Sequence, residues 1–431
     1  MQAHGFPDKN IPATDGCKMN ESCFVCRNCG GGDGRTFIDL GMSPLANAYV
    51  SRENADIADT FYPLHARVCV RCFLLQVDDV VPPHEIFNNE YAYFSSYSDS
   101  WLAHCKHYAY SAVSRYNLDS NNLVMEVASN DGYLLQYFKS AGVQVLGVEP
   151  SANTAAVAME IGVNTRVEFF SEKLAHKLIA EGFRPALICA ANVLAHVPDI
   201  NDFVKGIALM LQDDAVFTVE FPELLQLIEN VQFDTIYHEH YSYLSLFSTE
   251  HILNAVGLRV FDVEVLSTHG GSLRVHACLK TANHVELPSV ARQRQREMNA
   301  CLDRVQGYQG FGEKVELVRT GLLQFLQCAA RKNRRIAAYG AAAKGNTMLN
   351  YCGIRAGLIE YVVDKSPAKQ NKLLPGSRIP ILPIEELYDN PVDEIIILPW
   401  NIKEEIVESH ADLKSRGSHF FVAVPEMVQV G

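Results

Sequence analysis

Short apolar runs alternate with helix-like polar stretches through the middle of the chain. A helical pattern from about Gly132 to Lys139 connects the first two runs. Each run has the length of a buried strand, and small polar turns follow them. Strands that alternate with helices predict a doubly wound, mostly parallel α/β sheet. The runs are residues 123–127, 143–148, 186–190 and 215–219.

The last third of the chain repeats this pattern. Two polar, charged helical stretches at residues 290–303 and 314–332 lead into it, and a loop of small residues at 340–347 opens a further helix. This arrangement predicts a second, Rossmann-like α/β unit. Its strand-like runs are residues 335–339, 361–364 and 394–398.

Composition limits the class of protein. The chain has 431 residues, which is typical of two or three domains. Its net charge of -13 argues against nucleic acid or an acidic membrane surface as the main partner. No apolar stretch approaches the roughly 18 residues of a membrane span. Residues 1–20 carry no apolar run, so we interpret them as a flexible leader and expect a cytoplasmic protein with reduced thiols.

Two Cys-x-x-Cys pairs lie near the N-terminus, Cys26 with Cys29 and Cys69 with Cys72. Four thiolates suit a tetrahedral zinc ion and leave no open coordination position, which indicates a structural site. Cys23 creates a competing spacing, and free thiols or a redox pair are the alternative. The ion would add folding free energy to a module too small to be stabilised by its own core.

The first strand–loop–helix–strand unit carries a candidate nucleotide site. The spacing from Glu126 to Glu149, the acid that ends the second strand, is close to the roughly 20 residues expected for a ribose-binding acid. This is the layout of a class I methyltransferase that binds S-adenosylmethionine (SAM), and a generic Rossmann nucleotide site is its nearest rival. The candidate cofactor contacts are Glu126, Ala128, Asn130, Gly132, Glu149, Pro150, Ser151 and Asn192.

Residues 234–243 read Asp-Thr-Ile-Tyr-His-Glu-His-Tyr-Ser-Tyr. Histidine titrates near neutral pH, and tyrosine can donate a hydrogen bond to a developing oxyanion. The segment therefore suits removal of a carbon-bound proton beside a carbonyl. An aromatic-rich loop whose histidines only satisfy buried backbone groups is the structural alternative. His196 follows the third strand and would lie at the same carboxyl edge of the sheet.

The loop at 340–347 is a candidate phosphate cradle, because a helix N-terminus with small residues and a lysine attracts anions. The unit could bind a nucleotide diphosphate or only resemble one that does. A second glycine pair, Gly270 and Gly271, permits either close backbone approach to a ligand or a plain tight turn. The candidate substrate contacts are Lys344, Tyr339 and Asn346.

Over roughly residues 20–425 the chain resembles the zinc-containing, SAM-dependent sugar C-methyltransferases. Several separated motifs stand in that family's order, which is far more specific than any one of them. They are Cys26-Arg-Asn-Cys29-Gly30, Pro44-Leu-Ala-Asn47, Cys69-Val-Arg-Cys72, Glu126-Val-Ala-Ser-Asn-Asp-Gly132, Gly147-Val-Glu149-Pro150-Ser151, Tyr237-His-Glu-His240 and Tyr339-Gly-Ala-Ala-Ala-Lys-Gly345.

The resemblance implies three domains after the leader: a zinc-binding module at 21–85, a SAM-dependent methyltransferase domain at 86–285, and a C-terminal Rossmann-like domain at 286–431 that aids nucleotide-sugar binding. It implies a nucleoside-diphosphate (dTDP) 4-keto-6-deoxy sugar as substrate, in the making of branched-chain deoxysugars. We favour methylation at carbon 3. Carbon 5 and an NAD(P)-dependent epimerase or oxidoreductase are the alternatives, and the oligomeric state stays open.

The resemblance also implies roles for individual residues. It makes His240 the base that removes the proton, with Tyr237 and Glu239 positioning groups around the substrate. It places His196 near the sugar's oxygens. Tyr91 would cover the site from the side of the zinc module.

Overall fold

The computed structural model describes residues 24–78, 81–82 and 94–431. The predicted leader, Cys23 and the candidate site residue Tyr91 therefore lie outside the described residues. Among the residues that are described, no helix is both long and apolar enough to cross a membrane.

The cysteine-rich unit is built on a small antiparallel sheet in the order β1-β3-β4-β10. In β3 the side chains of Leu64, Ala66 and Val68 are buried, while those between them are partly exposed, as expected for a strand with one face in a core. The strands are β1 Gly34–Ser43, β2 Val50–Ser51, β3 Tyr62–Cys69 and β4 Leu75–Val77.

Two strand pairings tie this unit to the rest of the chain. Its last strand, β10 (Ser242–Tyr243), comes from the segment that follows the predicted catalytic cluster, and Ser242 pairs with Gln76. Strand β2 pairs with β15 (Lys372–Leu373) of the C-terminal unit. One sheet therefore contains strands from two of the predicted domains, and the predicted boundary between residues 85 and 86 divides it.

The central unit has a seven-stranded sheet in the order β11-β12-β9-β8-β5-β6-β7. Five strands are parallel, and β12 runs antiparallel to both of its neighbours. The chain order reverses around β5, and such a switch point opens a ligand crevice at the carboxyl ends of the strands. The strands are β5 Leu123–Val127, β6 Gln144–Val148, β7 Thr165–Arg166, β8 Pro185–Ala191, β9 Val216–Pro222, β11 Leu258–Leu266 and β12 Ser272–Leu279.

Helices cover both faces of this sheet. The helix predicted from Gly132 begins at Leu135, because Gly132 adopts φ 80° in the preceding turn. The helices are α1 Asp99–Arg115, α2 Leu135–Ser140, α3 Ala152–Glu160, α4 Glu172–Ala180, α5 Ile200–Met210, α6 Leu224–Glu229 and α7 Leu246–Ala255.

Two helices lead to the C-terminal unit, α8 (Pro288–Asn299) and α9 (Phe311–Arg331). Each helix begins two or three residues earlier than the sequence predicted. Phe311 of α9 stacks on Phe37 of β1 with ring centroids 4.3 Å apart. The zinc-binding unit therefore shares its apolar core with the C-terminal unit. This shared core explains how so small a module can bury apolar side chains.

The C-terminal unit is a six-stranded sheet in the order β16-β14-β13-β17-β18-β19, parallel except for β19. It has the second Rossmann-like pattern that the sequence predicted. Its strands are β13 Ile336–Tyr339, β14 Val362–Val363, β16 Ile381–Leu382, β17 Glu394–Ile397, β18 His419–Val422 and β19 Val428–Val430. Its helices are α10 Ala343–Tyr351, α11 Glu386–Asp389, α12 Lys403–Ser409 and α13 Ala411–Ser415.

Candidate active site and cofactor sites

The four predicted zinc ligands converge. The Sγ atoms of Cys26 and Cys72 are 3.5 Å apart, as are those of Cys29 and Cys69, and all four lie within 4.8 Å of one another. A tetrahedron of thiolates with zinc–sulfur bonds of about 2.3 Å has edges of about 3.8 Å. The cluster therefore fits a structural zinc ion with four protein ligands.

The loop after β5 has the backbone of a close ligand approach. Ala128, Asn130 and Gly132 all adopt left-handed φ values, of 59°, 47° and 80°. Such angles are uncommon for residues other than glycine, and they cluster at functional turns. The loop is held by Glu149, whose carboxylate accepts hydrogen bonds from the backbone amides of Asn130 (3.0 Å) and Ser151 (2.8 Å).

Buried polar atoms surround this loop and fit a polar cofactor. Among the described residues, Ser129 Oγ, Asp131 Oδ1 and Asn192 Oδ1 are buried without a hydrogen-bond partner. Atoms of this kind are rare in native proteins unless a ligand or water completes them. The amino group and ribose hydroxyls of SAM are donors of the required type. Glu126 is fully buried, and burial raises the pKa of its carboxyl well above the usual range, which favours the neutral form.

Tyr237, His240 and His196 form one partly buried cluster. The Tyr237 hydroxyl lies 2.8 Å from His240 Nε2, and the two imidazoles pack edge to face with centroids 4.6 Å apart. Nδ1 of His240 lies 2.9 Å from the carbonyl oxygen of Thr235. Because a carbonyl only accepts, Nδ1 must carry the proton and Nε2 the lone pair. His240 thus presents an unprotonated Nε2, as a base must.

Burial keeps both imidazoles neutral. It lowers the pKa of His240 well below its ordinary value and that of His196 to about 4. Nδ1 of His196 donates to the carbonyl oxygen of Glu239 at 2.8 Å, so its Nε2 is an acceptor too. This favours Tyr237 over His196 as the hydrogen-bond donor to an enolate.

The second imidazole of the motif is turned away from the cluster. His238 lies 3.2 Å from the carbonyl oxygen of Pro63, and its ring packs edge-on against Tyr62. His240 therefore stands as the candidate base within the 237–240 motif.

Glu239 is buried in the same cluster, and desolvation raises the pKa of its carboxyl to about 7. Its Oε1 accepts a hydrogen bond from Asn47 Nδ2 at 3.2 Å. Its Oε2 is buried without a partner among the described residues.

Known proteins match this chain over nearly its whole length. Family models describe a zinc binding domain at residues 26–87, a methyltransferase domain at 102–263 and a C-methyltransferase C-terminal domain at 267–425. The C-methyltransferase NovU of Streptomyces niveus is 34% identical over 401 residues, which are 93% of this chain and 95% of that protein.

The chain belongs to the zinc-containing, SAM-dependent sugar C-methyltransferase family. It is a SAM-dependent C-methyltransferase, and SAM and zinc are its cofactors.

Solved methyltransferases are more remote from this C-methyltransferase. The magnesium protoporphyrin IX methyltransferase of Synechocystis is 16% identical, and the match covers 41% of this chain and 81% of that one with a TM-score of 0.33. A SAM-dependent methyltransferase of Clostridium acetobutylicum is 10% identical, with coverages of 40% and 90% and a TM-score of 0.33. The assignment of the fold therefore rests on the strand order and the family models.

The C-terminal unit of the C-methyltransferase brings a partly buried lysine to the cluster. Lys344 Nζ donates to Asn401 Oδ1 at 2.6 Å and lies 4.6 Å from the ring centroid of Trp400. Trp400 Nε1 in turn donates to Asp234 at 2.7 Å, at the start of the predicted catalytic segment, residues 234–243. The positive charge of Lys344 also helps to lower the pKa of His240.

The other two predicted substrate contacts make bonds within the protein. The Tyr339 hydroxyl lies 3.1 Å from His410 Nε2. Asn346 Nδ2 donates to the carbonyl oxygen of Ala46 at 2.7 Å. Of the three candidates, Lys344 is the one that the structure brings to the cluster.

Sequence reasoning missed Asn47, Trp400 and Asn401. Asn47 ends the Pro44-Leu-Ala-Asn47 motif, and the other two follow a strand-like run. Nothing in these local patterns indicates that Asn47 contacts Glu239, 192 positions away, or that Trp400 contacts Asp234, 166 positions away. A polar residue directly after the carboxyl end of a parallel strand was the available signal for Asn401.

Proposed function

We propose that this C-methyltransferase acts on a nucleoside-diphosphate 4-keto-6-deoxyhexose, with dTDP as the nucleotide and carbon 3 as the methyl acceptor. The Tyr237–His240 pair carries the proposal. A base with a fixed tautomer stands beside a hydrogen-bond donor, at the edge of a cofactor crevice. Carbon next to a ketone is acidic enough for such a pair to deprotonate.

His240 starts the reaction in this scheme. Its Nε2 takes the proton from the carbon beside the ketone, and the electrons of the broken C–H bond delocalise onto the ketone oxygen. The Tyr237 hydroxyl leaves Nε2 and donates to that oxygen, where a single donor contributes roughly 3–4 kcal/mol. Bound SAM supplies an electrophilic methyl group for the carbanion.

The remaining residues bind and orient the substrate. Nδ1 of His196 already donates to a carbonyl oxygen, so His196 would lie beside the sugar as a hydrogen-bond acceptor. Oε2 of Glu239, which has no partner among the described residues, would accept from a hydroxyl group of the sugar. Lys344 supplies a positive charge for the diphosphate, and its hydrogen bond to Asn401 orients the ammonium group.

The test is incubation with SAM and dTDP-4-keto-6-deoxyhexoses, including a 2-deoxy form, in deuterated buffer. We expect mass spectrometry to find a gain of one CH2 on the sugar, and fragmentation to place it on carbon 3. A methyl group on carbon 5 would refute the regiochemistry and keep the substrate class. Turnover that requires NAD(P) instead of SAM would refute the proposal altogether.

A further inference from the structure

Residues 44–51 of the zinc-binding module lie between the C-terminal unit and residues 234–243, which we call the catalytic loop. We call residues 44–51 the bridging segment. Its Ala46 carbonyl accepts a hydrogen bond from Asn346. Its Tyr49 hydroxyl donates to the carbonyl oxygen of Ala341 at 2.6 Å. Strand β2 at its end pairs with β15. The segment is therefore held in place by the C-terminal unit.

One side chain of the bridging segment turns to the catalytic loop. Asn47 Nδ2 donates to Glu239 Oε1, while Asn47 Oδ1 lies 3.2 Å from the Tyr49 hydroxyl. Asn47 is exposed, whereas Glu239 is only 4% exposed. The hydrogen bond thus lies where solvent meets the buried cluster.

The two carboxylate oxygens of Glu239 differ in their hydrogen bonding. Oε1 is held by the amide of Asn47, and the buried Oε2 lacks a donor among the described residues. A buried carboxylate oxygen without a hydrogen bond is unfavourable, so a donor from a ligand would be favourable there. A sugar hydroxyl is such a donor.

We propose that Asn47 of the zinc-binding module is a positioning residue of the active site, which orients Glu239 to accept a hydrogen bond from a hydroxyl of the sugar. The inference rests on the proposed function, because it assumes a hydroxylated substrate. It assigns to the zinc-binding module a part in substrate binding that is exerted through Glu239.

The electrostatics of the pocket give the inference a distinctive signature. Tyr49 and Tyr243 face Glu239, and burial raises the pKa of both phenols, so they stay neutral. His196, which bonds to the carbonyl of Glu239, is neutral as well. Glu239 is therefore the group of this set that changes charge near neutral pH.

The Asn47 amide stabilises the charged form of Glu239, so its removal raises that pKa further. A raised pKa means that less carboxylate is present at a given pH. The acidic limb of the profile of kcat/KM against pH should then move to higher pH in Asn47→Leu.

The experiment is a double-mutant cycle with Asn47→Leu, Glu239→Gln and the combination. We expect Asn47→Leu to lower kcat/KM by about 10- to 100-fold, the range of a hydrogen bond to a charged group, and to leave the contents of zinc and bound SAM unchanged. In the Glu239→Gln background the same change should add little, because Asn47 acts through Glu239.

Ser43→Ala is the matched control, since it removes a buried hydroxyl that donates to the Pro44 carbonyl without touching Glu239. Its activity and pH profile should match the wild type. Asn47→Ser serves if the leucine variant does not fold. Multiplied losses in the double mutant, or an unmoved acidic limb, would overturn the inference.

A measurement without substrate separates this inference from the proposed function. The carboxyl C=O stretch of Glu239, taken from infrared difference spectra of the wild type and Glu239→Gln, can be titrated directly. We expect its midpoint to rise in Asn47→Leu. If no keto-sugar is methylated but the midpoint rises, the proposed substrate is wrong and the positioning role stands; an unmoved midpoint refutes that role.

Discussion

Substitution of His240 is the sharpest test of the proposed chemistry. The imidazole makes two hydrogen bonds, to Thr235 at 2.9 Å and to Tyr237 at 2.8 Å. A positioned general base contributes about 10²- to 10⁴-fold to the rate. We therefore expect His240→Asn to slow proton exchange by that factor, which corresponds to about 3–5 kcal/mol in the barrier.

The same substitution has a structural cost that can be measured separately. Each buried group left without its partner costs about 1–3 kcal/mol of folding stability, so the free energy of unfolding should fall by a few kcal/mol. SAM affinity should persist, because the cofactor loop is held by Glu149. Loss of SAM binding would mean that His240 supports the cofactor site.

His238 supplies the matched control. It is more buried than His240, and it also bonds to a carbonyl oxygen, that of Pro63. His238→Asn should therefore lower stability by a similar amount while proton exchange continues at the wild-type rate. A comparison of the two variants separates loss of the base from loss of packing.

The assay follows deuterium uptake by the keto-sugar in deuterated buffer, with S-adenosylhomocysteine in place of SAM. Burial lowers the pKa of His240 well below its ordinary value, so the neutral base predominates at neutral pH. An acidic limb of exchange near neutral pH must then come from another group. Exchange at the wild-type rate in His240→Asn, or equal losses in both variants, would refute the reasoning.

Three further predictions concern the cofactors and the substrate. Glu149→Gln should weaken SAM binding by at least about tenfold, since it removes a charge that accepts two backbone amides, and exchange measured at saturating cofactor should survive; calorimetry measures the affinity. Cys69→Ser should release zinc and lower the melting temperature, and an unchanged metal content would contradict the four-cysteine site. Lys344→Met should raise KM for the nucleotide sugar by about 10- to 100-fold through loss of a charged contact. Because burial of the ammonium is itself unfavourable, the melting temperature of that variant should stay equal or rise, and an unchanged KM would exclude Lys344 from the substrate site.

Local patterns in the sequence predict local features well. The two Cys-x-x-Cys spacings predicted the cysteine cluster, because each pair lies in one tight turn. The strand–loop–acid pattern likewise placed Glu149 where it clamps the loop after β5. In both cases the interacting residues lie close together in the chain or in a recurring unit.

Long-range pairings could not be predicted in this way. Strand β10 is two residues long, and only its pairing with β4 makes it a strand. The bond from Asn47 to Glu239 spans 192 positions. Such contacts depend on how the three units pack, and no periodicity in a single segment encodes that packing. The choice between His238 and His240 also depended on it.

The contacts of the zinc knuckle explain why a structural metal would influence catalysis at a distance. Arg27 lies between two zinc ligands, and its guanidinium donates to the carbonyl oxygen of Pro198 at 3.0 Å, two residues after His196. The same guanidinium lies 5.3 Å from the ring centroid of Tyr241, the residue after His240. Arg27 thus connects the predicted zinc site to the two loops that carry His196 and His240. Desolvation of an imidazole costs free energy, and well-ordered neighbours offset that cost. We therefore expect an ordered zinc knuckle to keep the residues around His196 and His240 ordered.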